Sequence, residues 1–267
     1  MTESLNSAQT QKKESMSVGQ LEGKVALITG AGSGFGEAMA IRFAAEGAKV
    51  AVVDLRGDQA RRVAEALGKQ AIAIEADVSS LAAVKGAVAT TLAALGTPDI
   101  VVNNAGFTHK NGPLLDVDEA TYDKIFAVNV KSIYNMVQAV VPMMRDNGGG
   151  VMLNVASTGG IRPRPGLTWY NASKGAVNLL SKALAVELAP WRIRVNSLCP
   201  VMGVTGMLSE LMGGQDTPEI RARFINTIPL GRLTVPDDVV NAALFLASDS
   251  ASFITGIEMP IDGGRTI

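Results

Sequence analysis

The segment Val25–Gly36, with the sequence VALITGAGSGFG, decides the fold class. Its apolar start leads into a run of glycines, and an Ala-rich stretch of helical composition follows. A strand, a glycine-rich turn and a helix in this order form a unit that binds nucleotide phosphates, because backbone without Cβ lets a pyrophosphate approach the free N–H groups of the helix. Gly30, Gly34 and Gly36 follow the spacing G-x-x-x-G-x-G. The same glycines also suit an ordinary turn between a strand and a helix.

Short apolar runs alternate with longer amphipathic or Ala-rich segments along the rest of the chain, which predicts repeated βα units and a parallel sheet. Runs that are apolar at consecutive positions are typical of strands covered by helices on both faces. We therefore expect an α/β, doubly wound Rossmann fold with a seven-stranded parallel sheet and three helices on each face. The predicted strands are Val25–Thr29, Lys49–Val53, Ala71–Glu75, Ile100–Asn103, Val151–Val155, Arg194–Leu198 and Glu258–Ile261. The predicted helices are Gly34–Glu46, Asp58–Leu67, Leu81–Leu95, Asp118–Asn147, Thr168–Leu188 and Pro236–Ser248.

Length and composition predict a single domain with one large core. The chain has 267 residues, of which 47% are hydrophobic and 18% charged, and this is enough to bury such a core without a second domain. Residues 1–20 are rich in Ser, Gln, Lys and Glu, and we expect them to form a disordered tail ahead of a domain over 21–267.

Charge and residue usage exclude several classes of function. The formal net charge of −1 and the lack of Lys or Arg clusters argue against nucleic-acid binding. No apolar run approaches the roughly 20 residues of a membrane span, so we expect no membrane association. Cys199 is the only cysteine, which precludes an intramolecular disulfide and suits the cytoplasm. His109 is the only histidine and follows a polar loop pattern, so we expect a solvated position and no metal site.

A possible proton-transfer group lies in the second half of the chain. Tyr170 and Lys174 are four residues apart, with Ser157 thirteen residues before the tyrosine, and on a helix the phenol and the ammonium share one face. A buried cation beside a phenol favours the phenolate, so we expect Tyr170 to titrate well below its ordinary pKa of about 10. Exposed pairs of this kind are common and inert, but the glycine-rich turn of Val25–Gly36 favours the catalytic interpretation.

From about Leu21 to the C-terminus, the sequence resembles the short-chain dehydrogenase/reductase family, in its branch of shorter subunits. The motifs that carry the resemblance occur in the order of that family: Thr29–Gly36, Asp77, Asn103–Gly106, Asn129, Ser157, Tyr170 with Lys174, and Pro200 with Thr205. The resemblance implies an NAD(P)-dependent oxidoreductase that interconverts a secondary alcohol and a ketone by hydride transfer.

The resemblance also implies the catalytic roles. Tyr170 would give or take the proton of the substrate oxygen, and Ser157 would hold and polarise that oxygen. Lys174 would lower the pKa of the tyrosine and hold the nicotinamide ribose, and Asn129 would support a water-mediated proton path. Asn129 sits in a predicted helix, where asparagine has poor propensity. A solvated or back-bonded side chain is the alternative for this residue.

Asp54 predicts the choice of cofactor. It ends the second predicted strand, where a carboxylate accepts hydrogen bonds from ribose hydroxyls and repels a 2′-phosphate. We therefore expect NAD (NADH) rather than NADP, although Arg56 offers a partial site for that phosphate. Asp77 is similar to the residue that contacts the adenine in the family, and a helix cap is its alternative role. The cofactor-binding residues implied by the resemblance are Gly30, Gly32, Ser33, Gly34, Phe35, Gly36, Asp54, Leu55, Asp77, Val78, Asn104, Ala105, Gly106, Tyr170, Lys174, Pro200, Gly203 and Thr205.

The segment after the sixth predicted strand departs from the family pattern. The family usually reads Pro-Gly-x-(Val or Ile)-x-Thr, whereas residues 200–205 read PVMGVT. The spacing from proline to threonine is kept. Val201 adds a side chain beside the nicotinamide, and Gly203 frees the backbone two residues later.

Residues near 204–230 resemble the substrate lid of the family. Their apolar side chains predict a hydrophobic or aromatic carbonyl or alcohol as the small-molecule substrate, although the same side chains would also pack the lid onto the domain. They are Met207, Leu208, Leu211, Met212, Phe224 and Ile225. Arg162 and Arg164 would suit an anionic substrate, but we expect loop arginines at the surface.

The resemblance implies a homotetramer, since the long helices over Asp118–Asn147 and Thr168–Leu188 pair between subunits in relatives. A 3-oxoacyl-thioester reductase and a sugar dehydrogenase of the same family remain alternative functions. A nucleotide-sugar epimerase disagrees with the chain length and the glycine spacing. A non-catalytic cofactor-binding regulator usually lacks one of the Tyr, Lys and Ser residues, and all three are present here.

Overall fold

The computed structural model describes residues 19–203, 206, 208–214 and 217–267. In this part of the chain, seven parallel strands form one sheet in the order β3-β2-β1-β4-β5-β6-β7. The doubly wound fold predicted from the sequence is therefore confirmed. The strands are β1 Val25–Thr29, β2 Lys49–Asp54, β3 Ala71–Glu75, β4 Ile100–Asn103, β5 Gly150–Val155, β6 Ile193–Pro200 and β7 Glu258–Ile261. The predicted tail lies outside the described residues up to position 18.

Helices cover both faces of the sheet. Three of them, α1, α2 and α9, pack on one face, and α3, α5 and α6 pack on the other. The helices are α1 Gly34–Ala45, α2 Gly57–Leu67, α3 Leu81–Leu95, α4 Glu119–Phe126, α5 Ser132–Asp146, α6 Thr168–Leu188, α7 Leu208–Leu211, α8 Pro218–Ile225 and α9 Pro236–Ala247. None of the helices described is long and apolar enough to cross a membrane.

Each face of the sheet has its own hydrophobic core. In β1, Ala26 and Ile28 face the core under α1 and α9, while Leu27 faces the core under α3 and α5. Side chains of a strand alternate between faces, so a strand covered on both sides must be apolar at consecutive positions. This explains why every residue of β1 is buried.

The predicted helix Asp118–Asn147 is wrong as one continuous helix. It begins one residue later because the Asp118 side chain accepts a hydrogen bond from the Thr121 N–H at 2.8 Å and caps α4. A π-helical turn over Ala127–Lys131 then separates α4 from α5. Such turns shift the register of a helix and often accompany functional sites, and this one holds Asn129.

The order of the strands reverses between β1 and β4, and loops at their carboxyl ends diverge there. Ligands of such sheets bind at this switch point. The Thr29 hydroxyl joins the two strands, because it donates to the Val102 carbonyl at 3.3 Å and accepts from the N–H groups of Asn104 and Ala105, each at 3.1 Å. The loop after β4 is thereby fixed beside the glycine-rich turn after β1.

Candidate active site

A cavity of about 630 Å³ opens at the switch point along the carboxyl edge of the sheet. It collects sixteen of the residues predicted for the site: Gly30, Ser33, Gly34, Phe35, Asp54, Leu55, Asp77, Val78, Asn104, Ala105, Gly106, Ser157, Tyr170, Lys174, Pro200 and Gly203. A cavity of this volume, lined by both the glycine-rich turn and the Tyr170 cluster, is of the size that binds cofactors and small molecules in proteins.

Glycine is required at several positions of the turn after β1. Gly30 and Gly34 have φ angles of 63° and 61°, which disfavour other residues. A Cβ on Gly36 would collide with the Gly30 carbonyl oxygen. The turn therefore brings the backbone N–H groups at the start of α1 to the cavity, where their partial positive charge suits a pyrophosphate.

Asn104 braces this turn from the neighbouring strand. Its amide nitrogen donates to the carbonyl oxygens of Thr29 at 2.9 Å and Gly30 at 3.1 Å. These bonds give both carbonyl groups a side-chain donor at the point where the chain leaves β1. The shape of the phosphate-binding turn thus depends on a residue that follows β4.

Asp54 lies at the end of β2 with both carboxylate oxygens engaged. Oδ2 accepts from the Gly32 N–H and Oδ1 from the Arg56 N–H, both at 2.9 Å. The Arg56 guanidinium extends over the turn, with Nε 3.7 Å from Asp54 Oδ1 and Nη2 donating to Ser33 Oγ at 3.1 Å. A carboxylate and an exposed guanidinium therefore share the end of the cavity that would receive a ribose.

Leu55, Asp77 and Val78 line the same end of the cavity. The Asp77 carboxylate accepts from the Ser79 N–H at 2.9 Å and the Ser79 hydroxyl at 2.7 Å. Ser80, rather than Asp77, caps α3, since its hydroxyl accepts from the Ala83 N–H. Leu55 is 65% exposed, which makes it an apolar surface against which a flat base can pack.

Ser157, Tyr170 and Lys174 meet at the other end. Tyr170 and Lys174 lie one turn apart on α6, with the Lys174 Nζ 5.8 Å from the centre of the tyrosine ring. Lys174 Nζ donates to the Val155 carbonyl at 2.7 Å, and Ser157 Oγ accepts from the Gly159 N–H at 3.0 Å. The Ser157 hydroxyl is placed to act on the ionisation of the Tyr170 phenol. The three predicted groups thus form one cluster.

The expected low pKa of Tyr170 is wrong for the cofactor-free protein. Burial raises the pKa of the phenol above 10.0, and the polar Ser157 side chain offsets this only in part. Burial also lowers the pKa of Lys174 from 10.5 to about 8. Desolvation disfavours both charged forms, and the ammonium bonds a carbonyl rather than the phenol oxygen. Tyr170 therefore keeps its proton at neutral pH.

Asn129 lies behind the cavity, not in its wall. Its Oδ1 accepts from the Phe107 N–H at 2.8 Å, and its amide nitrogen donates to the Phe107 carbonyl and Ser173 Oγ, each at 2.9 Å. Ser173 Oγ in turn donates to the Tyr170 carbonyl at 2.7 Å. Asn129 is therefore neither solvated nor back-bonded within its helix; it connects the loop after β4 to the helix that carries Tyr170.

The departure from the family pattern at residues 200–205 has a structural reason. A Cβ on Gly203 would lie 2.5 Å from Cζ of Phe35, so the phenyl ring occupies the space that a side chain at 203 would take. Val201 is 3% exposed and packs with Met202, Leu208 and neighbouring lid residues while also lining the cavity. The glycine at 203 accommodates the phenylalanine in the turn after β1.

Three predicted site residues lie outside the cavity wall. Gly32 acts through its bond to Asp54, Gly36 packs against the turn, and Asn129 supports the loop behind it. The predictions for Thr205 and Met207 lie outside the described residues. Among the residues the structure describes, no group of His, Cys, Asp and Glu could hold a metal ion.

Sequence reasoning misplaced two residues. His109 is buried, with Nδ1 2.9 Å from the Lys110 carbonyl oxygen, whereas we expected a solvated position. Arg164 is partly buried and lines the cavity, whereas we expected a surface arginine; Arg162 is exposed as expected. Loop composition alone did not reveal the burial of His109 or the contacts of Arg164 with Phe224 and Thr227. Leu211, predicted as a lid residue, lines the cavity, and Phe107, Leu167, Asn171 and Met202 line it without having been predicted.

The fold, the glycine-rich phosphate site and the cluster of Ser157, Tyr170 and Lys174 define a dinucleotide-dependent oxidoreductase. Comparison with known proteins agrees. A family model described as enoyl-(acyl carrier protein) reductase matches residues 30–266. The chain belongs to the short-chain dehydrogenase/reductase family.

Relatives and solved structures match nearly the whole chain. The 4-formylbenzenesulfonate dehydrogenase of Comamonas testosteroni is 48% identical over 92% of this chain and 99% of the relative. The 7α-hydroxysteroid dehydrogenase of Escherichia coli is 37% identical over 92% and 95%. The structure of a 3-ketoacyl-(acyl-carrier-protein) reductase from Brucella melitensis, complexed with NADH, is 50% identical with a TM-score of 0.88, covering 92% of this chain and all of that one.

Proposed function

We propose that this protein is an NAD(H)-dependent oxidoreductase that interconverts a secondary alcohol and a ketone, with Tyr170 as general acid and base. The observation that carries the proposal is the buried Tyr170 phenol, with Ser157 in the same cavity wall and the Lys174 ammonium beside its ring, in the cavity that the glycine-rich turn also lines. Bound NAD(H) supplies the hydride donor or acceptor. The groups of this chain bind the reactants and handle the proton.

Tyr170 and Ser157 have different roles at the substrate oxygen. Ser157 Oγ is held by the Gly159 N–H, so its hydroxyl can donate to that oxygen in a fixed direction. Burial raises the pKa of Tyr170, so the phenol carries a proton that it can give to a carbonyl oxygen during reduction. In oxidation the phenolate takes the proton of the alcohol, a step favoured by higher pH.

Lys174 and Asn129 support the tyrosine. The Lys174 ammonium is buried beside the ring and held by the Val155 carbonyl. Its charge would favour the phenolate, and its free N–H groups would hold the nicotinamide ribose. Asn129 fixes the backbone of the Tyr170 helix through Ser173. The proton path to solvent that the family resemblance implies would pass this asparagine.

The cofactor assignment rests on the expected pyrophosphate site and on the expected adenosine site beside it. The turn over Gly30–Gly36 and the start of α1 would hold the pyrophosphate, and Asp54, Leu55, Asp77 and Val78 would hold the adenosine. The Asp54 carboxylate accepts from two backbone N–H groups and would disfavour a 2′-phosphate. The NADH in the Brucella melitensis reductase supports NAD(H) over NADP(H) here.

The substrate end supports a hydrophobic or aromatic molecule. Phe107, Leu167, Val201, Met202 and Leu211 line the cavity together with Tyr170. Relatives whose names specify an aromatic sulfonate and a steroid agree with that lining. A 3-oxoacyl-thioester reductase is the second candidate, favoured by the similarity to the 3-ketoacyl-(acyl-carrier-protein) reductase of Brucella melitensis. A sugar dehydrogenase is less suited to these side chains.

We further propose a cytoplasmic homotetramer with a lid near 204–230. Exposed apolar residues on α5 and α6 support pairing between subunits: Tyr134 is 54% exposed, Leu179 69% and Val186 78%. A monomeric mass from light scattering at micromolar protein concentration would contradict the assembly.

The test is a single substitution that keeps the shape of the cavity. Tyr170→Phe removes the hydroxyl, and we expect turnover to fall by about two to four orders of magnitude because the proton donor is lost. The assay follows the absorbance of the reduced nicotinamide with a panel of bulky ketones, 3-oxoacyl thioesters and secondary alcohols. NADH affinity, measured by fluorescence, should change little. Near-normal turnover would remove Tyr170 from the mechanism.

A further inference from the structure

Arg164 stands out among the residues of the cavity because it is charged, partly buried and without an acidic partner. It belongs to the loop between β5 and α6 and lines the cavity together with Tyr170, Leu167 and Leu211. In the part of the chain that the structure describes, no carboxylate forms an ion pair with it. Buried charges are normally paired with an opposite charge, so the position of this guanidinium without a carboxylate partner has to be explained.

The guanidinium is held in a defined position. It lies 4.9 Å from the centre of the Phe224 ring on α8, and Nη2 donates to Thr227 Oγ1 at 3.0 Å. The remaining N–H groups have no hydrogen-bond acceptor among the described residues, and a guanidinium has five such donors. A planar guanidinium that is fixed by stacking and keeps free N–H donors is suited to donate two parallel hydrogen bonds to the oxygens of one anionic group.

The surrounding charge also favours an anion. Burial and, to a smaller extent, the neighbouring Arg265 lower the pKa of Arg164 to about 10. Arg265 has a buried Nε without a partner, and only Asp262 among the acidic groups acts to raise its pKa. The oxygens of Asp262 are already used by the N–H groups of Gly264 and Thr266. An incoming anion would relieve the repulsion between the two arginines.

The backbone ties Arg164 to the catalytic helix. The Asn171 amide donates to the Arg164 carbonyl at 2.8 Å, and Asn171 directly follows Tyr170. On the other side of the loop, the Asn111 amide donates to the Pro165 carbonyl at 3.2 Å. The guanidinium therefore has a fixed relation to the Tyr170 phenol, with the apolar side chains of Leu167 and Leu211 in the same wall.

We propose that Arg164 binds a carboxylate or sulfonate group on the substrate, and that the substrate is an apolar or aromatic carbonyl compound or alcohol with this group at the end remote from the reacting carbon. This inference rests on the proposed function and names the substrate class of the same site. Arg164 is a specificity residue: it fixes the far end of the substrate while Ser157 and Tyr170 act on the oxygen.

The experiment compares two pairs of probes with NADH. 4-Formylbenzenesulfonate is matched with the neutral 4-(methylsulfonyl)benzaldehyde, and 4-acetylbenzoate with its methyl ester. Arg164→Gln should lower kcat/KM for the anionic member of a pair about 10- to 100-fold, mainly through KM, because a charge-assisted bond is lost in the ground state as well as the transition state. The neutral members should change less than about twofold. Arg164→Lys should recover part of the loss, since it restores charge without the fork.

Arg162→Gln is the matched control, because it removes the same charge from the same loop at an exposed position outside the cavity wall. It should leave the ratio between anionic and neutral probes unchanged. Equal losses for both members of a pair in Arg164→Gln, or equal effects of the two glutamine variants, would overturn the proposal. Sensitivity confined to acyl-carrier-protein thioesters would also overturn it, since the arginine would then serve a carrier protein.

A binding measurement separates this inference from the proposed chemistry. Calorimetric titration of the NADH-saturated protein with unreactive 4-methylbenzenesulfonate should give binding that weakens about 10-fold or more in Arg164→Gln. Binding without turnover of any probe would support Arg164 while contradicting the proposed function for these carbonyls. Turnover of neutral ketones without anion binding would support the proposed function and contradict the role of Arg164.

Discussion

Replacing Lys174 with methionine should change how the stability of the protein depends on pH. Lys174 is 3% exposed, and burial lowers its pKa from 10.5 to about 8. At about 1.4 kcal/mol per pKa unit, the protonated lysine destabilises the folded state by roughly 3 kcal/mol. Methionine of similar length avoids that cost but leaves the Val155 carbonyl without its donor, a loss that does not vary with pH.

The sign follows from proton binding. Below about pH 8 the lysine is protonated in both the folded and the unfolded protein, and the full cost of burial is present. Between about pH 8 and 10.5 the folded protein releases this proton while the unfolded chain keeps it, so stability rises with pH. From about pH 7.5 to 9.5, the wild type should gain roughly 2 kcal/mol from Lys174, and Lys174→Met should not.

Urea unfolding of the cofactor-free proteins, at fixed protein concentration and at several pH values, measures this difference. Cys199 and Tyr170 have raised pKa values, so their titration lowers the stability of the folded protein at high pH. Both residues are present in the wild type and in the variant. Lys174 also lowers the pKa of Cys199, but the folded thiol, with its pKa of about 11, stays protonated up to about pH 9.5. The difference in unfolding free energy between wild type and variant therefore reports on the lysine over this range. A difference that stays constant across this pH range would show that Lys174 titrates as an ordinary solvated lysine and would refute the argument.

Two further substitutions test the cofactor site. Asp54→Asn keeps the shape of the residue but removes its charge. We expect the ratio of kcat/KM for NADPH over NADH to rise about 10- to 100-fold, because the charge-assisted bond to the ribose of NADH is lost and the repulsion of the 2′-phosphate of NADPH is removed. Saturation kinetics with both cofactors measure this ratio, and a constant ratio would contradict the prediction. Gly203→Val should displace Phe35, whose Cζ lies 2.5 Å from a Cβ built at 203, and weaken NADH binding about 10-fold in fluorescence titrations; Phe35→Leu in the same chain should restore it. Additive effects of these two changes would show that the residues are not coupled.

The strands could be predicted because burial on both faces leaves a strong pattern. β1, β3, β4 and β7 begin and end where consecutive apolar residues and turn signals place them. The cluster of Tyr170, Lys174 and Ser157 was likewise predictable, since helical spacing brings the first two together and motif order supplies the third.

Other properties depend on contacts between distant parts of the chain and could not be predicted. The π-helical turn around Asn129 has no sequence period of its own and coincides with bonds to Phe107 and Ser173. The pKa of Tyr170 depends on how deeply the folded protein buries it. The position of Arg164 depends on Phe224 and Thr227, which come from the lid.

The brace between Asn104 and the turn after β1 has a consequence for the order of folding. The motif Val25–Gly36 is complete early in synthesis, but its carbonyl groups are held by a side chain about 75 positions later. Closing so long a loop has an entropic cost that only the assembled β1–β4 pair repays. A nascent chain that ends before Asn104 should therefore hold every glycine of the motif and still fail to bind nucleotide. Cofactor binding would then report on the completion of the sheet rather than on the presence of its first unit.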